Sequence, residues 1–511
     1  MTLIDQVTNV SDFIWGGTWN GDEVIPFPPM VLILLGIGLW IMVGLRFYPI
    51  LALGSAFKGL FKGRKSAGAG EISPFAALST ALSGQVGTGN LAGVATAIAL
   101  GGPGAIFWMW VTALIGMALA FAEGSLAIRY RSQNAEGVYR GGPMTYILMG
   151  LGKKWTWLAV LFCIGTLFSA MVTGNSIQAN SVADSFGELF GMEEWMAGLI
   201  VAIAVFIVII GGIKSIGSVA EKVVPFMAIA YLVMALLALI LNVGDLPETF
   251  ALIFKGAFGF DAAAGGFTGA MIMMAIRAGV ARGLFSNEAG QGSTPIAHAV
   301  AQTDDPRQQG QMAMLGTFID TIVICTMTAL VMLTVAGDFQ LTDPETGAVS
   351  TVAHAWQSDL QGFEMTSGAF AAAFPLPVLG IPIGSLIVSV ALILFVFTTL
   401  LTWSYYGERA ITFLYDRTPG ASLKGEKALH VSWRLLWCFI IYVGASQDLE
   451  LVWRLGDISN AAMALPNLVA LAALSGVVFA LAKGDRNAGK THDVEEVSNL
   501  AGAEPPPGVG H

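Results

Sequence analysis

The chain has 511 residues, 55% of them hydrophobic and only 12% charged, with a formal net charge of −10 and a mean hydropathy of +0.71. Soluble domains carry about 25% charged residues, so a water-soluble globular fold is excluded. A β-barrel is excluded too, because alternation in segments of about ten residues is missing, which leaves an all-α polytopic membrane protein embedded in a lipid bilayer.

In chain order, residues 1–27 read as an extracytoplasmic N-terminal segment. The first 25 residues hold no Lys or Arg, so no cleavable signal peptide is expected and insertion falls to the first span. A span needs roughly 20 apolar residues. About eleven are expected, at 28–53, 73–99, 102–130, 155–187, 196–213, 219–243, 264–290, 309–336, 378–408, 430–447 and 458–482. The span 28–53 is peripheral, and 73–482 form a ten-helix core. The polar stretch 483–511, with Pro505, Pro506 and Pro507, is expected to be a disordered cytoplasmic tail.

Positive charge orients the spans. Lys58, Lys62, Arg64 and Lys65 follow the first span, and Arg129, Arg131, Arg140, Lys153 and Lys154 follow the third. Lys214, Lys222, Arg307, Arg409, Arg417, Lys424, Lys427, Lys483, Arg486 and Lys490 continue the pattern, while the intervening connections hold only Lys255 and Arg454. The N-terminus is therefore expected outside and the C-terminus in the cytoplasm, across the inner (plasma) membrane.

Two spans carry glycine-rich polar interruptions. The second reads Ser83-Gly84-Gln85-Val86-Gly87-Thr88-Gly89-Asn90. Glycine weakens helix, and unwound backbone at membrane depth survives only where it is buried or lines a cavity. Close packing through small residues is the alternative, but it does not need Gln85, Thr88 and Asn90. In the seventh span the glycines of the run Arg277–Gly290 (Gly279, Gly283 and Gly290) and Phe285 mark an expected unwound middle, while Arg282 and Glu288 are expected near the cytoplasmic end as anchors. The two breaks stand five spans apart, which in a ten-helix core is the pattern of two inverted five-helix repeats with paired discontinuous helices around a midplane site. Amides freed at a half-helix N-terminus suit a carboxylate, and freed carbonyls with Thr, Asn and Gln oxygens suit sodium.

The run Gly101-Gly102-Pro103-Gly104-Ala105-Ile106-Phe107-Trp108-Met109-Trp110 resembles the signature of the alanine or glycine:cation symporter family. So do Gly87-Thr88-Gly89-Asn90, Gly174-Asn175-Ser176-Ile177-Gln178-Ala179-Asn180-Ser181 and Gly283-Leu284-Phe285-Ser286-Asn287-Glu288-Ala289-Gly290. The resemblance extends to about residue 482. It implies a leucine-transporter-like fold and import of a small neutral amino acid, alanine or glycine, together with sodium as coupling ion and no other cofactor. It also implies that Gly87, Thr88 and Gly89 hold the substrate carboxylate, with Asn175, Gln178, Phe285 and Trp403 lining the pocket. One sodium is implied at Asn90 and the Gln85 carbonyl. A second is implied at the Ser83 and Val86 carbonyls with the Thr398 and Thr399 hydroxyls. A helix-six hydroxyl for the first sodium is not placed, since Ser286 lies late in the break.

The remaining features fit this reading. Cys163, Cys325 and Cys438 lie in apolar stretches without metal spacing, and the five histidines are scattered. No basic run tracks a nucleic acid, and no catalytic motif points to an enzyme. Glu123, Asp184 and Asp320 read as structural partners of Arg277 or Arg282, or else as proton relays. In the second case the chain is a proton-coupled transporter of another small solute.

Overall fold

The computed structural model describes residues 3–25, 27–62, 68–134, 136–259, 267–344, 347–378, 380–447 and 449–492. Its helices begin with α1 (Leu3–Gly16), α2 (Pro29–Gly44), α3 (Tyr48–Leu51) and α4 (Leu53–Lys62). Next come α5 (Pro74–Gln85), α6 (Ala92–Gly101), α7 (Gly104–Arg129), α8 (Pro143–Leu151), α9 (Thr156–Met171) and α10 (Ile177–Phe190). They continue with α11 (Glu194–Ile209), α12 (Gly212–Leu241), α13 (Leu246–Phe258), α14 (Phe267–Asn287), α15 (Thr294–His298), α16 (Pro306–Thr317) and α17 (Thr326–Thr334). The last are α18 (Gly362–Ala373), α19 (Ile383–Tyr415), α20 (Leu423–Gly444), α21 (Leu449–Ala473) and α22 (Ser475–Ala482). π-helical turns, Val172–Ser176 and Phe318–Cys325, join α9 to α10 and α16 to α17.

Among the described residues, six helical stretches are long and apolar enough to cross a bilayer: Gly104–Arg129, Lys153–Phe190, Gly212–Leu241, Gly269–Asn287, Pro306–Thr334 and Ile383–Tyr415. The pair Leu451–Ala473 and Ser475–Ala482, bent by 65°, adds a seventh. The chain is a multi-pass membrane protein. Ile203, Ile207, Phe226, Ile229, Ile240 and Leu241 stand exposed on α11 and α12, an apolar surface suited to lipid. The apolar run 28–53 is not one helix. It ends as α2 at Gly44, and Arg46 and Phe47 then take left-handed conformations (φ 54° and 59°).

Small residues set the closest packing. A Cβ on Gly124 of α7 would lie 2.7 Å from Ala313 of α16, and Gly310 faces Ser125 and Phe121 as closely. The connections rich in positive charge touch one another. Arg131 donates to the carbonyls of Ala299, Ala301 and Thr303 and pairs with Asp304, Arg140 pairs with Asp416 and Glu426, and Arg486 pairs with Asp305. These connections therefore gather at one end of the molecule.

Residues 483–492 differ from the expected disorder. Arg129 donates to the carbonyls of Asn487, Ala488 and Gly489 at 3.2, 2.8 and 3.1 Å, and the His492 N–H donates to Met149 O at 3.0 Å. The strap is held mainly through its backbone, with the exposed Arg486–Asp305 pair beside it, so its polar composition gives little sign of it. The rest of the expected tail, 493–511, lies outside the described residues, as do Arg64 and Lys65.

Candidate functional site

Helix α5 stops at Gln85 because Val86 turns extended (ψ 95°), and Thr88–Asn90 then form one 3-10 turn before α6. The break falls where the glycines predict it but is shorter, with Ser83, Gly84 and Gln85 still helical. Its freed groups are met by side chains. Asn90 Oδ1 accepts the Gly87 N–H at 2.9 Å. Gln178 Oε1 accepts the Thr88 N–H at 3.1 Å and the Thr88 hydroxyl at 2.9 Å. Glycine is needed at 87 for close approach: a Cβ there would lie 2.6 Å from Thr399 Oγ1 and 2.9 Å from Gln178 Oε1.

The second break lies later than the sequence predicts. Helix α14 is continuous through Gly279, Gly283 and Phe285 to Asn287. Those glycines serve packing, Gly279 against the Ala105 carbonyl and Trp108, Gly283 against Thr112. The helix ends where Glu288, Gly290 and Gly292 take φ of 55°, 84° and 90°. Glycine adopts such values freely, whereas Glu288 does so at a cost of about 1–2 kcal/mol. Glu288 is also no end anchor. Its Oε1 accepts the Trp403 indole N–H at 2.8 Å and its Oε2 the Ser293 hydroxyl at 2.5 Å. Arg282, the other expected anchor, forms a buried ion pair with Asp457 of α21 at 2.6 Å.

Two oxygen-rich clusters lie beside the breaks. In the first, the buried Asp320 accepts from Asn90 Nδ2 at 2.6 Å, Ser286 Oγ at 2.8 Å and Thr321 Oγ1 at 2.7 Å. Ser286, left unplaced by sequence, thus joins Asn90. The Gln85 side chain donates to the Asn287 carbonyl at 2.5 Å. In the second, Thr399 Oγ1 lies 3.0, 3.2 and 2.9 Å from the carbonyls of Ser83, Val86 and Phe395, and Thr398 Oγ1 lies 3.0 Å from Phe395 O. The Phe395 carbonyl is a member that no sequence motif marks. Both are hard oxygen sets that suit an alkali cation, and the first adds a carboxyl group. Among the described residues Glu123, Glu288 and Asp320 form no ion pair. The expected bridges to Arg277 or Arg282 are therefore not formed, and Asp184 is exposed.

Aromatic rings lie beside both breaks. Phe285 covers Gly89, whose Cβ would lie 2.9 Å from the ring, and stacks on Trp453 at 4.9 Å, with the Arg282 guanidinium over both. Trp403 lies against Gly174 in the π turn and meets Tyr406 edge-on at 5.5 Å. Asn175 is tied to α20, its Nδ2 donating to the Trp437 carbonyl at 3.0 Å. In an α-helix Asn175 and Gln178 share a face. The π turn at 172–176 widens the coil between them and turns them to different neighbours.

A profile of the sodium:alanine symporter family matches residues 14–498. The chain belongs to that family. It is 42% identical to the sodium/alanine symporter AgcS of Methanococcus maripaludis, over 94% of this chain and 97% of that protein. It is 38% identical to the "Probable sodium/glutamine symporter GlnT" of Bacillus subtilis, over 89% and 87%. Among solved structures, a manganese transporter of Eremococcus coleocola matches 80% of this chain and 76% of its own at 14% identity and a TM-score of 0.46. The family is one of transporters, and membership agrees with the resemblance carried by the four sequence motifs.

Proposed function

We propose that the protein imports a small neutral amino acid, alanine or glycine, together with sodium, by alternating access. The observation that carries this reading is the meeting of the two interrupted helices at the oxygen cluster around Asp320, with a second oxygen cluster around Thr399 where α19 meets the first break. Sodium at Asn90, the Gln85 carbonyl, Ser286 and Asp320 would bind beside the first break. A second sodium at the Ser83, Val86 and Phe395 carbonyls with Thr398 and Thr399 would brace it from α19. The substrate carboxylate would take the Thr88 amide from Gln178, whose oxygen sits where a carboxylate oxygen would, with Gly87 and Gly89 leaving room for its approach.

An alanine-sized substrate is supported by the Phe285 ring against Gly89 and by Trp403 against Gly174, since large rings beside the break limit the volume left for a side chain. The architecture is read as eleven spans, the four beyond those above being α2, the broken α5–α6, α11 and α20. A ten-helix core of two inverted repeats draws support from the packing: α6 on α14, α7 on α16, α9 on α19 and α11 on α20 each pair a core helix with the one five further on. The basic end of the molecule faces the cytoplasm, with the N-terminus outside the inner membrane. Sodium would complete the site for substrate, so the two ligands favour each other's binding.

A second reading, proton coupling, is favoured by the three buried carboxyls without ion pairs. Equilibrium binding of labelled alanine separates the two. The expected result is binding in sodium chloride that vanishes in choline chloride. Equal binding in both salts, varying with pH alone, would contradict sodium coupling.

A further inference from the structure

Trp403, Tyr406, Gly84 and Glu288 form one layer beside the candidate sodium clusters. On α19, Thr399 is followed one turn later by Trp403 and then by Tyr406, as the helix runs toward Asp416. On α14, Phe285 precedes Glu288 on the way to the 299–304 connection. Helix α5 starts from that same end and reaches Gly84 before Gly87, and a Cβ on Gly84 would lie 3.3 Å from the Tyr406 hydroxyl. The layer thus stands on the side of the site where the basic connections gather, opposite the Phe285–Trp453 stack.

Within the layer, the 2.8 Å bond from the Trp403 N–H to Glu288 Oε1 is the one hydrogen bond between the second break and α19 among the described residues. Both partners are buried, with Trp403 1% and Glu288 2% exposed. Glu288 also holds a left-handed backbone conformation that its two side-chain bonds, to Trp403 and Ser293, keep in place. Trp403 in turn touches the π turn at Gly174. The bond therefore ties α14, α19 and the α9–α10 helix together at one point. On the transport reading, a path from the site to the basic end parts this layer.

We propose that the Trp403–Glu288 bond is the inner latch of the site, and that Glu288 is a positioning residue that holds the Trp403 floor closed beneath the substrate. This rests on the transport reading above. Breaking the latch lowers the share of molecules with a closed floor. Apparent affinity falls by that share.

The test is sodium-dependent alanine binding by the purified full-length protein and by four variants, each first checked for monodisperse elution. Glu288→Ala and Trp403→Phe are each expected to raise the apparent Kd about ten-fold, the order of one buried hydrogen bond. Trp403→Phe keeps an aromatic floor and removes only the donor and the outer ring. The double variant is expected to be no weaker than the weaker single variant, and Glu288→Gln, which keeps an acceptor, should recover most of the lost affinity. Additive losses in the double variant, unchanged affinity in Trp403→Phe, or Glu288→Gln as weak as Glu288→Ala would overturn the latch alone. Wild-type protein that binds no alanine in sodium would overturn the transport reading and the latch with it.

Discussion

Asn90 serves both halves of the first cluster, its Oδ1 capping the broken helix and its Nδ2 meeting Asp320. Replacing it with Ala leaves the Gly87 amide unpartnered and removes one polar ligand beside a buried carboxyl, a loss of about 1–3 kcal/mol. The sodium concentration for half-maximal alanine binding in Asn90→Ala is therefore expected to rise roughly ten-fold or more, and an unchanged sodium midpoint would sink the assignment. Asn90, Gln178 and Thr399 are legible in the sequence because polar side chains stand out in apolar spans. Their partners are less so. Ser286 and Asp320 meet across two helices separated by the second break, and no spacing rule links them. The Phe395 carbonyl carries no side-chain signature at all. The bond from Asn175 to Trp437 is not foreseen, because a π turn cannot be seen in a pattern that assumes 3.6 residues per turn.

At the scale of the helices, the two breaks differ in how plainly the sequence marks them. The first combines glycines with polar residues and breaks where they cluster. At the second break, Gly279 and Gly283 mislead. Gly279 and Gly283 sit in an unbroken helix because tight contact with α7 offsets their weak helix propensity. The true break depends on positive φ at Glu288, Gly290 and Gly292, a property of backbone shape. Gly292 has φ 90°, and a Cβ there would lie 2.7 Å from both Phe162 and Pro143, whereas Gly269 in α14 has nothing within 4 Å. Gly292→Ala is therefore expected to lower the melting temperature by several degrees, through left-handed strain and overpacking of about 1–3 kcal/mol. Gly269→Ala should leave it level or slightly raised. Equal melting temperatures for the two variants would argue against the strained second break.

Across the whole molecule, the membrane class follows from composition alone, because few charges and long apolar runs leave no other solution. The basic connections assigned to one side by charge do touch one another, through Arg131, Arg140 and Arg486. Contact of that kind is a consequence of topology, which explains why charge could anticipate it. The strap at 483–492 was hidden because backbone carbonyls bind Arg129. The Phe285–Trp453 pair lies beside the first break and the Trp403–Tyr406 pair beside α5 and the π turn, and the transport reading requires that sodium binding be coupled to parting of these rings. Uptake of labelled alanine into proteoliposomes addresses this most directly, with an inward sodium gradient in one arm and an inward proton gradient without sodium in the other. The expected result is accumulation above the external concentration with sodium only, blocked by excess glycine. Accumulation driven by protons in the absence of sodium would contradict the account and move the coupling site to Glu123, Glu288 or Asp320.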